Sequence, residues 1–283
     1  MYILAIETTG PVGSVAVIEA KKPDRPDETP TAPMKVTTRA MSHLKNLIPM
    51  ASELLSEEGI EKDEIAAIAA SIGPGSFTGI RIGVSTARAL AQAWDVPCIS
   101  VPTLELFREK CGAAGSSGGD AVSVIFNARR GQVYGACFDG AGDPLIEPGP
   151  YMLVDMLDRI GELGVKPVFY GDGIDAYSDT DEFRERLAEY RIAPEEDRYQ
   201  TADMTARYGL RVWNRDRAAC SGDGADSCEH DNRREHGRIV SYSELLPDYM
   251  RESEAEQRLK DGSLEKMRKA KMERFMKMAG KTF

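Results

Sequence analysis

Three short stretches carry residue types that could do chemistry. Glu7-Thr8-Thr9-Gly10 sets a carboxylate and two hydroxyls at the end of an apolar run, a group that can meet a phosphate or a hydrated metal ion. Gly73-Pro74-Gly75-Ser76-Phe77-Thr78-Gly79 follows the apolar run 65–70 and precedes a helical pattern. In that layout helix N-terminal amides can meet an anion or another chain. Ala128-Arg129-Arg130-Gly131 follows the apolar run 121–127, and its guanidinium pair could meet an acidic partner. Each stretch also has a plain reading. The glycine loop lacks the Gly-Lys-Ser/Thr ending of a phosphate-binding loop, so no ammonium or magnesium-binding hydroxyl is supplied, and it is not the dinucleotide fingerprint. As a bare loop it favours a structural turn over an anion site. The Glu7 segment by itself is a turn, and the arginine pair reads equally well as a solvated hairpin tip.

Other chemistry is poorly provided for. Only three histidines occur in 283 residues. His43 is the one in well-patterned sequence, where capping or interface packing explains it better than catalysis. No Ser/His/Asp constellation can be assembled. Cys220, Cys228, His230 and His236 lack the intervals of a zinc ribbon or finger, so neither catalytic nor metal-binding residues are assigned. The five cysteines are scattered and odd in number, which fits a reduced, cytoplasmic protein. No apolar run approaches a membrane span and no signal peptide precedes the first strand. The net charge of −10 argues against unaided binding to nucleic acid. Residues 254–283 differ, with nine Lys/Arg against five Asp/Glu.

The elements that must position these groups follow from periodicity. Runs 2–7 and 14–19 predict a hairpin, and 34–40 a third strand beyond an exposed 21–33 loop. Leu44, Leu47, Ile48, Ala51, Leu54 and Leu55 share one face of a helix over 41–58. Pro49 kinks that helix if it starts near Ser42, and costs little if Asn46 is the cap. The pattern next predicts a helix over 80–94. Gly79, Gly83, Ala87 and Ala91 recur on one face of it, and a stripe this small invites close packing against a second helix. The opposite side, with Ile82, Ala89, Ala93 and Trp94, is then free to face the sheet. On this reading the stripe receives another protein, and Gly83→Leu or Ala87→Arg blocks assembly while leaving the fold intact.

Further along, 96–101 predicts a strand, 103–110 a helix and 111–120 a flexible joint. A hairpin of 121–127 and 132–138 echoes the opening one. Helices are expected over 152–163, 182–190 and 204–213, with a strand at 167–170. Residues 214–238 have almost no large apolar side chain and read as a solvated insertion. Order returns at 239–250, and 263–279 reads as a basic helix.

The segments ILAIETT, SHLKNLIPMASELL, IGPGSFTGIRIGVSTARALAQAWDVPCISVPTLE, NARRGQVYGACF, YGDG and LPDYMRESEAE together resemble the TsaB (YeaZ) family. Its members are subunits of the bacterial machinery that makes threonylcarbamoyladenosine in tRNA. The resemblance is close over the first hundred residues, good over 121–138 and loose between. It implies an α/β fold of ASKHA type, two lobes each on a βββαβα core, as in actin and sugar kinases. The expected division is an N-terminal lobe at 1–102, a C-terminal lobe at 103–213, a polar insertion at 214–240 and a segment with a basic tail at 241–283.

The resemblance also implies a non-catalytic subunit that pairs with a TsaD-like ATP-binding subunit, or with a second copy of itself. A TsaE-like ATPase would join the complex, tRNA would be contacted mainly through the partners, and no membrane is involved. The implied partner face comprises His43, Leu44, Leu47, Ile48, Ala51, Leu55, Gly79, Gly83, Ala87 and Ala91. Gly73, Pro74, Gly75, Ser76, Phe77, Thr78 and Arg81 form the family signature loop. Glu7, Thr8, Thr9, Gly10, Asn127 and Arg129 would be vestigial phosphate turns. Glu7 and Asn127 stand where the family usually has Asp. No cofactor is implied for this chain by itself, with ATP or ADP conceivable at the junction with a partner. The competing expectation is an ASKHA-type ATPase or kinase whose own hairpin turns clamp phosphates.

Overall fold

In a computed structural model of the chain, residues 1–21, 30–37, 43–111, 120–179, 181–220 and 237–250 are described. The chain divides into a unit Met1–Asp248 and a second unit Tyr249–Phe283. The account below concerns the first. The basic helix expected over 263–279 lies outside the described residues.

The first lobe opens with β1 (Tyr2–Glu7), β2 (Ser14–Glu19) and the short β3 (Met34–Val36). Then come α1 (His43–Glu57), β4 (Ile65–Gly73), α2 (Phe77–Trp94) and β5 (Cys98–Pro102). β1 sits at the centre, antiparallel to β2 and parallel to β4, with β2–β3 antiparallel and β4–β5 parallel. The second lobe repeats this plan with β6 (Val122–Asn127), β7 (Gln132–Phe138), β8 (Pro144–Met152), α3 (Leu153–Leu163) and β9 (Val168–Tyr170). It continues through α4 (Gly173–Tyr177) and α5 (Asp181–Leu187) to β10 (Arg191–Ile192). Its order, β10-β9-β6-β7-β8, again puts the first strand in the middle. Both sheets thus show three antiparallel strands followed by two parallel ones beyond the first, which is the duplicated two-lobed α/β core expected from the sequence.

The last long helix, α6 (Ala202–Cys220), does not stay with the second lobe. It packs on β1, β2 and β5 of the first sheet, and β11 (Arg238–Val240) then adds to that sheet beside β5. Residues 202–213, assigned from sequence to the second lobe, therefore belong to the first. α6 also runs into the stretch expected to be a polar insertion. The alternation of β1 accounts for the layering, since successive side chains of a strand point to opposite faces. Ile6 and Thr8 face α2, whereas Ile3 and Glu7 face α6.

Of the two alternatives for Pro49 the structure has the first, an interior position, because α1 begins at His43. Two further elements differ from expectation. β8 was not anticipated, because its Pro144, Pro148 and Pro150 are poor strand formers. It is an edge strand, where a missing N–H can face away from the ladder. The segment Thr103–Lys110 is a 3-10 helix instead of an α-helix. Its Thr103, Leu104, Glu105, Leu106 and Phe107 are all buried, a run of burial that a one-sided helix could not provide. Phe107 packs on Phe126 and Tyr170 of the second sheet, with centroids 5.8 and 5.6 Å away.

The small-residue stripe of α2 points inward. Gly79, Gly83, Ala87 and Ala91 are all buried within this single chain. A Cβ at Gly79 would collide with the Thr8 carbonyl, and one at Gly83 with the Thr8 hydroxyl. The side expected to face the sheet is instead outside: Ala89 and Ala93 are exposed, and Ile82 and Trp94 half-buried. Close backbone approach does need glycine here, but the approaching backbone is the chain's own β1 end. Overpacking at such a contact costs roughly 1–3 kcal/mol. Gly83→Ala should therefore lower the urea unfolding free energy by about that much, and Gly83→Leu should prevent folding. Ala89→Arg, on the outer side, should stay within about 0.5 kcal/mol of wild type. Equal stability of the two glycine variants and wild type would contradict the inward orientation.

Candidate functional site

Two of the three candidate stretches form a single structure. Gly73–Gly79 wraps the end of β1, and its polar groups go to the chain itself. The Ser76 amide donates to the Thr9 carbonyl at 2.8 Å, and the Ser76 hydroxyl caps α2 by accepting from the Gly79 amide at 3.3 Å. The Thr8 hydroxyl donates to the Gly79 carbonyl at 2.7 Å. A Cβ on Gly75 would strike Thr9. The loop is shaped to receive the threonines, and these amides are not left for an anion.

Glu7 is completely buried. Its Oε1 accepts from both the amide and the hydroxyl of Thr9 at 2.6 Å, and its Oε2 from the Thr205 hydroxyl of α6 at 3.3 Å. Ser71 of β4 also bonds to it, and Ser71 and Thr205 lie 3.1 Å apart. Burial is the dominant influence and raises the carboxyl above its usual range, and the surrounding hydroxyls and the Thr9 amide only partly offset it. Gln200 completes the enclosure. It is 2% exposed and donates through Nε2 to the Thr9 hydroxyl at 3.0 Å. Its amide would be 2.9 Å from a Cβ on Gly10. A phosphate does not fit this turn, because its hydroxyls are already engaged, its glycine is covered and its carboxylate would repel the anion.

The second turn is built differently. Asn127 Oδ1 accepts from the Arg129 amide at 2.8 Å and from the Tyr177 hydroxyl at 3.3 Å, while the Asn127 amide donates to Asp172 at 3.0 Å. Burial raises the Asp172 carboxyl, partly offset by the Asn127 amide. Arg129, Arg130 and Gly131 all have positive φ, at 64°, 56° and 74°. For arginine that region is disfavoured, so this exposed tip is held in place by the Asn127 and Tyr177 contacts. The two candidate turns differ in setting, one enclosed and one at the surface.

Nucleophiles and metal ligands are sparse among the described residues. Burial pushes the Cys98 and Cys111 thiols up to about 11 and Cys137 up to about 12, which keeps them protonated at neutral pH. No group of three His, Cys, Asp or Glu that could hold a metal ion occurs among the described residues. Cys228, His230 and His236 lie outside them. A cleft of about 390 Å³ opens beside the 3-10 segment, lined by Arg108, Glu109, Tyr208, Arg211 and others. Glu109 there is held by Arg207 at 2.9 Å and Arg211 at 2.5 Å.

Of the expected partner-facing residues on α1, Leu47, Ala51 and Leu55 are buried in the chain's own core, and Ile48 is 57% exposed. His43 and Leu44 lie at the start of α1, and their side chains lie outside the described residues. Arg81 stacks over the Phe77 ring at 4.1 Å on the outer side of α2. Sequence reasoning missed Ser71, Gln200 and Thr205. None belongs to a motif, and only the tertiary course of the chain brings Gln200 to Thr9 and Thr205 to Glu7.

The duplicated sheets and paired hairpin turns define a two-lobed α/β protein. Comparison with known proteins narrows this. A model of the family TsaD: tRNA N6-adenosine threonylcarbamoyltransferase matches residues 37–158. The tRNA threonylcarbamoyladenosine biosynthesis protein TsaB of Bacillus subtilis is 30% identical over 174 residues, 60% of this chain and 71% of that protein. The TsaB protein of Escherichia coli is 36% identical over 136 residues, 48% of this chain and 54% of its own length. The structure of YeaZ from Pseudomonas aeruginosa aligns with a TM-score of 0.60 at 21% identity, covering 88% of this chain and 99% of that one. The chain belongs to the TsaB family.

The buried carboxylate has a measurable consequence. A carboxyl whose folded-state pKa is raised binds its proton more tightly in the native state than in the unfolded chain. Its contribution to stability is then full below the ordinary glutamate value of about 4.3. That contribution declines as the pH rises from there through the raised native value. Urea unfolding between pH 4 and pH 8 should show Glu7→Gln gaining on wild type as the pH rises. A difference independent of pH would show that Glu7 ionises as freely in the fold as outside it.

Proposed function

We propose that this chain is a non-catalytic scaffold subunit for threonylcarbamoyl transfer to adenosine 37 of tRNA, acting in complex with a TsaD-like ATP-binding subunit. Membership of the TsaB family, whose Bacillus subtilis relative is named for threonylcarbamoyladenosine biosynthesis, is the observation that carries this reading. The enclosed Glu7–Gly10 turn supports it over an ATPase or kinase, because phosphoryl transfer needs free donors at the phosphates. In this reading tRNA is contacted chiefly by the partners, which suits the acidic balance of the chain. A TsaE-like ATPase engages the assembled complex, and any ATP or ADP sits at a subunit junction. A cytoplasmic setting suits this work, and no helix among the described residues is long and apolar enough to cross a membrane.

The docking face differs from the one the small-residue stripe implied. With the stripe buried, the surface available for a partner is the outer side of α1 and α2. It offers Ile48 on α1, and Phe77, Arg81, Ser85 and Ala89 along α2, all exposed. A second copy of the chain would use the same side in the absence of the partner. Ser85 and Ala89 are small enough to admit a closely packed helix from the other protein.

Mixed with a TsaD homologue, the wild-type chain should co-elute with it, and omitting the chain should abolish threonylcarbamoyl transfer in the reconstituted system. Ala89→Arg and Ile48→Arg should each weaken the complex tenfold or more, about 1.4 kcal/mol, with unchanged circular dichroism. Transfer that proceeds equally well without the chain would refute the scaffold role. Full affinity in both arginine variants would refute the proposed face alone.

A further inference from the structure

The short connection between β10 and α6 is bonded to both lobes. On the second-lobe side, the Arg198 carbonyl accepts from the Gly171 amide at 2.9 Å. The Arg198 guanidinium donates to the Ala193 carbonyl through Nε at 3.3 Å and pairs with Asp175. The Tyr199 hydroxyl donates to the same Asp175 carboxylate at 2.6 Å. Burial, followed by that bond, raises the Tyr199 hydroxyl to about 12, so it remains a donor throughout the neutral range.

One residue later the bonding changes sides. Gln200 donates to Thr9, the Ala202 amide donates to the Ser14 hydroxyl at 2.9 Å, and Thr205 reaches Glu7. Within five residues the backbone passes from bonds made wholly with the second lobe to bonds made wholly with the turn and strands of the first. The contacts on the first-lobe side are buried, where hydrogen bonds are not weakened by competing water.

We propose that residues 198–202 staple the two lobes together, joining the Glu7–Gly10 turn to the Gly171–Asp175 segment so that the lobes move as one body. Two-lobed enzymes commonly work by hinge closure around a ligand. Here a hinge rotation at the connection is confined to the few backbone dihedrals between Tyr199 and Gln200, because the residues on either side are bonded to their own lobes. On the first-lobe side the Gln200 side chain lies over Gly10. This inference concerns the chain by itself and stands whether or not the scaffold reading holds.

Amide hydrogen exchange of the full chain tests the coupling, using one variant on each side. Tyr199→Phe deletes the hydrogen bond to Asp175 of the second lobe. Gln200→Ala deletes the hydrogen bond to Thr9 of the first lobe. If the connection is a staple, Tyr199→Phe should speed exchange at Thr9 and Gly10 about tenfold. Gln200→Ala should do the same at Gly171, while strand amides of β1 and β6 keep their protection. A variant that loosens only its own side, or changes neither turn, overturns the proposal. Should Gln200→Ala unfold the first lobe altogether, the conservative Tyr199→Phe decides, because its effect must cross to the other lobe to count.

Discussion

A carboxylate removed from water must be surrounded by donors or lose its charge, and much of this molecule is arranged around that demand. Glu7 sits at the end of the central strand of the first sheet with no exposed surface. The groups that meet it come from its own turn, from β4 and from α6. Leaving such a group unpaired would cost several kcal/mol, so the three elements are held in register by one side chain. The course of α6 follows from this. A helix that supplies Thr205 to Glu7 must lie on the first sheet, although the chain has just left the second. Gly209 of the same helix packs against Ala69 and Ile99, which lets the helix lie close enough for Thr205 to reach.

The opposite side of β1 obeys a complementary constraint, of volume instead of charge. Thr8 points toward α2, and its hydroxyl and carbonyl occupy the space that side chains at positions 79 and 83 would need. The glycine loop and the small-residue stripe, which look like two features in the sequence, are one: both clear room for the strand end. Charge fixes one face of the strand and steric room the other, so Glu7 and Thr8, adjacent in sequence, determine how two helices on opposite faces of the sheet are placed.

These two constraints also show what could be read from the amino-acid order and what could not. Strand pairs with a buried face alternate or run apolar for six residues, so β1, β2 and β7 were legible to the residue. β8 was hidden by prolines tolerated only because it lies at an edge. The 3-10 segment was hidden because burial on all sides has no periodic signature. At the candidate site, the participation of Glu7, Thr8, Thr9 and the glycine loop was legible, but their direction was not. A four-residue repeat states which residues share a helix face; it does not state which face is inside. Gly79, Gly83, Ala87 and Ala91 suit a partner's backbone and the chain's own backbone equally well, and only the position of Thr8 decides between them. Ser71, Gln200 and Thr205 come from segments 64 or more positions beyond Glu7 and meet through tertiary structure alone, so no local pattern could have announced them.

The two lobes share a topology and differ where their first hairpins turn. In the first lobe the turn is drawn inward: its carboxylate is buried, its hydroxyls are engaged and its glycine is covered by Gln200. In the second lobe the turn is pushed outward, and its arginines take up positive φ at the surface. Asn127, the counterpart of Glu7 at the end of the first strand, is exposed, and its side chain braces the tip. A duplicated fold that gripped one ligand between equivalent turns would need both to be open and facing it. Here one has become part of the core and the other part of the surface. The symmetry of the backbone is preserved while the surroundings of the two turns are not, because one carboxylate is enclosed by hydroxyls and the other strand end carries an exposed amide side chain.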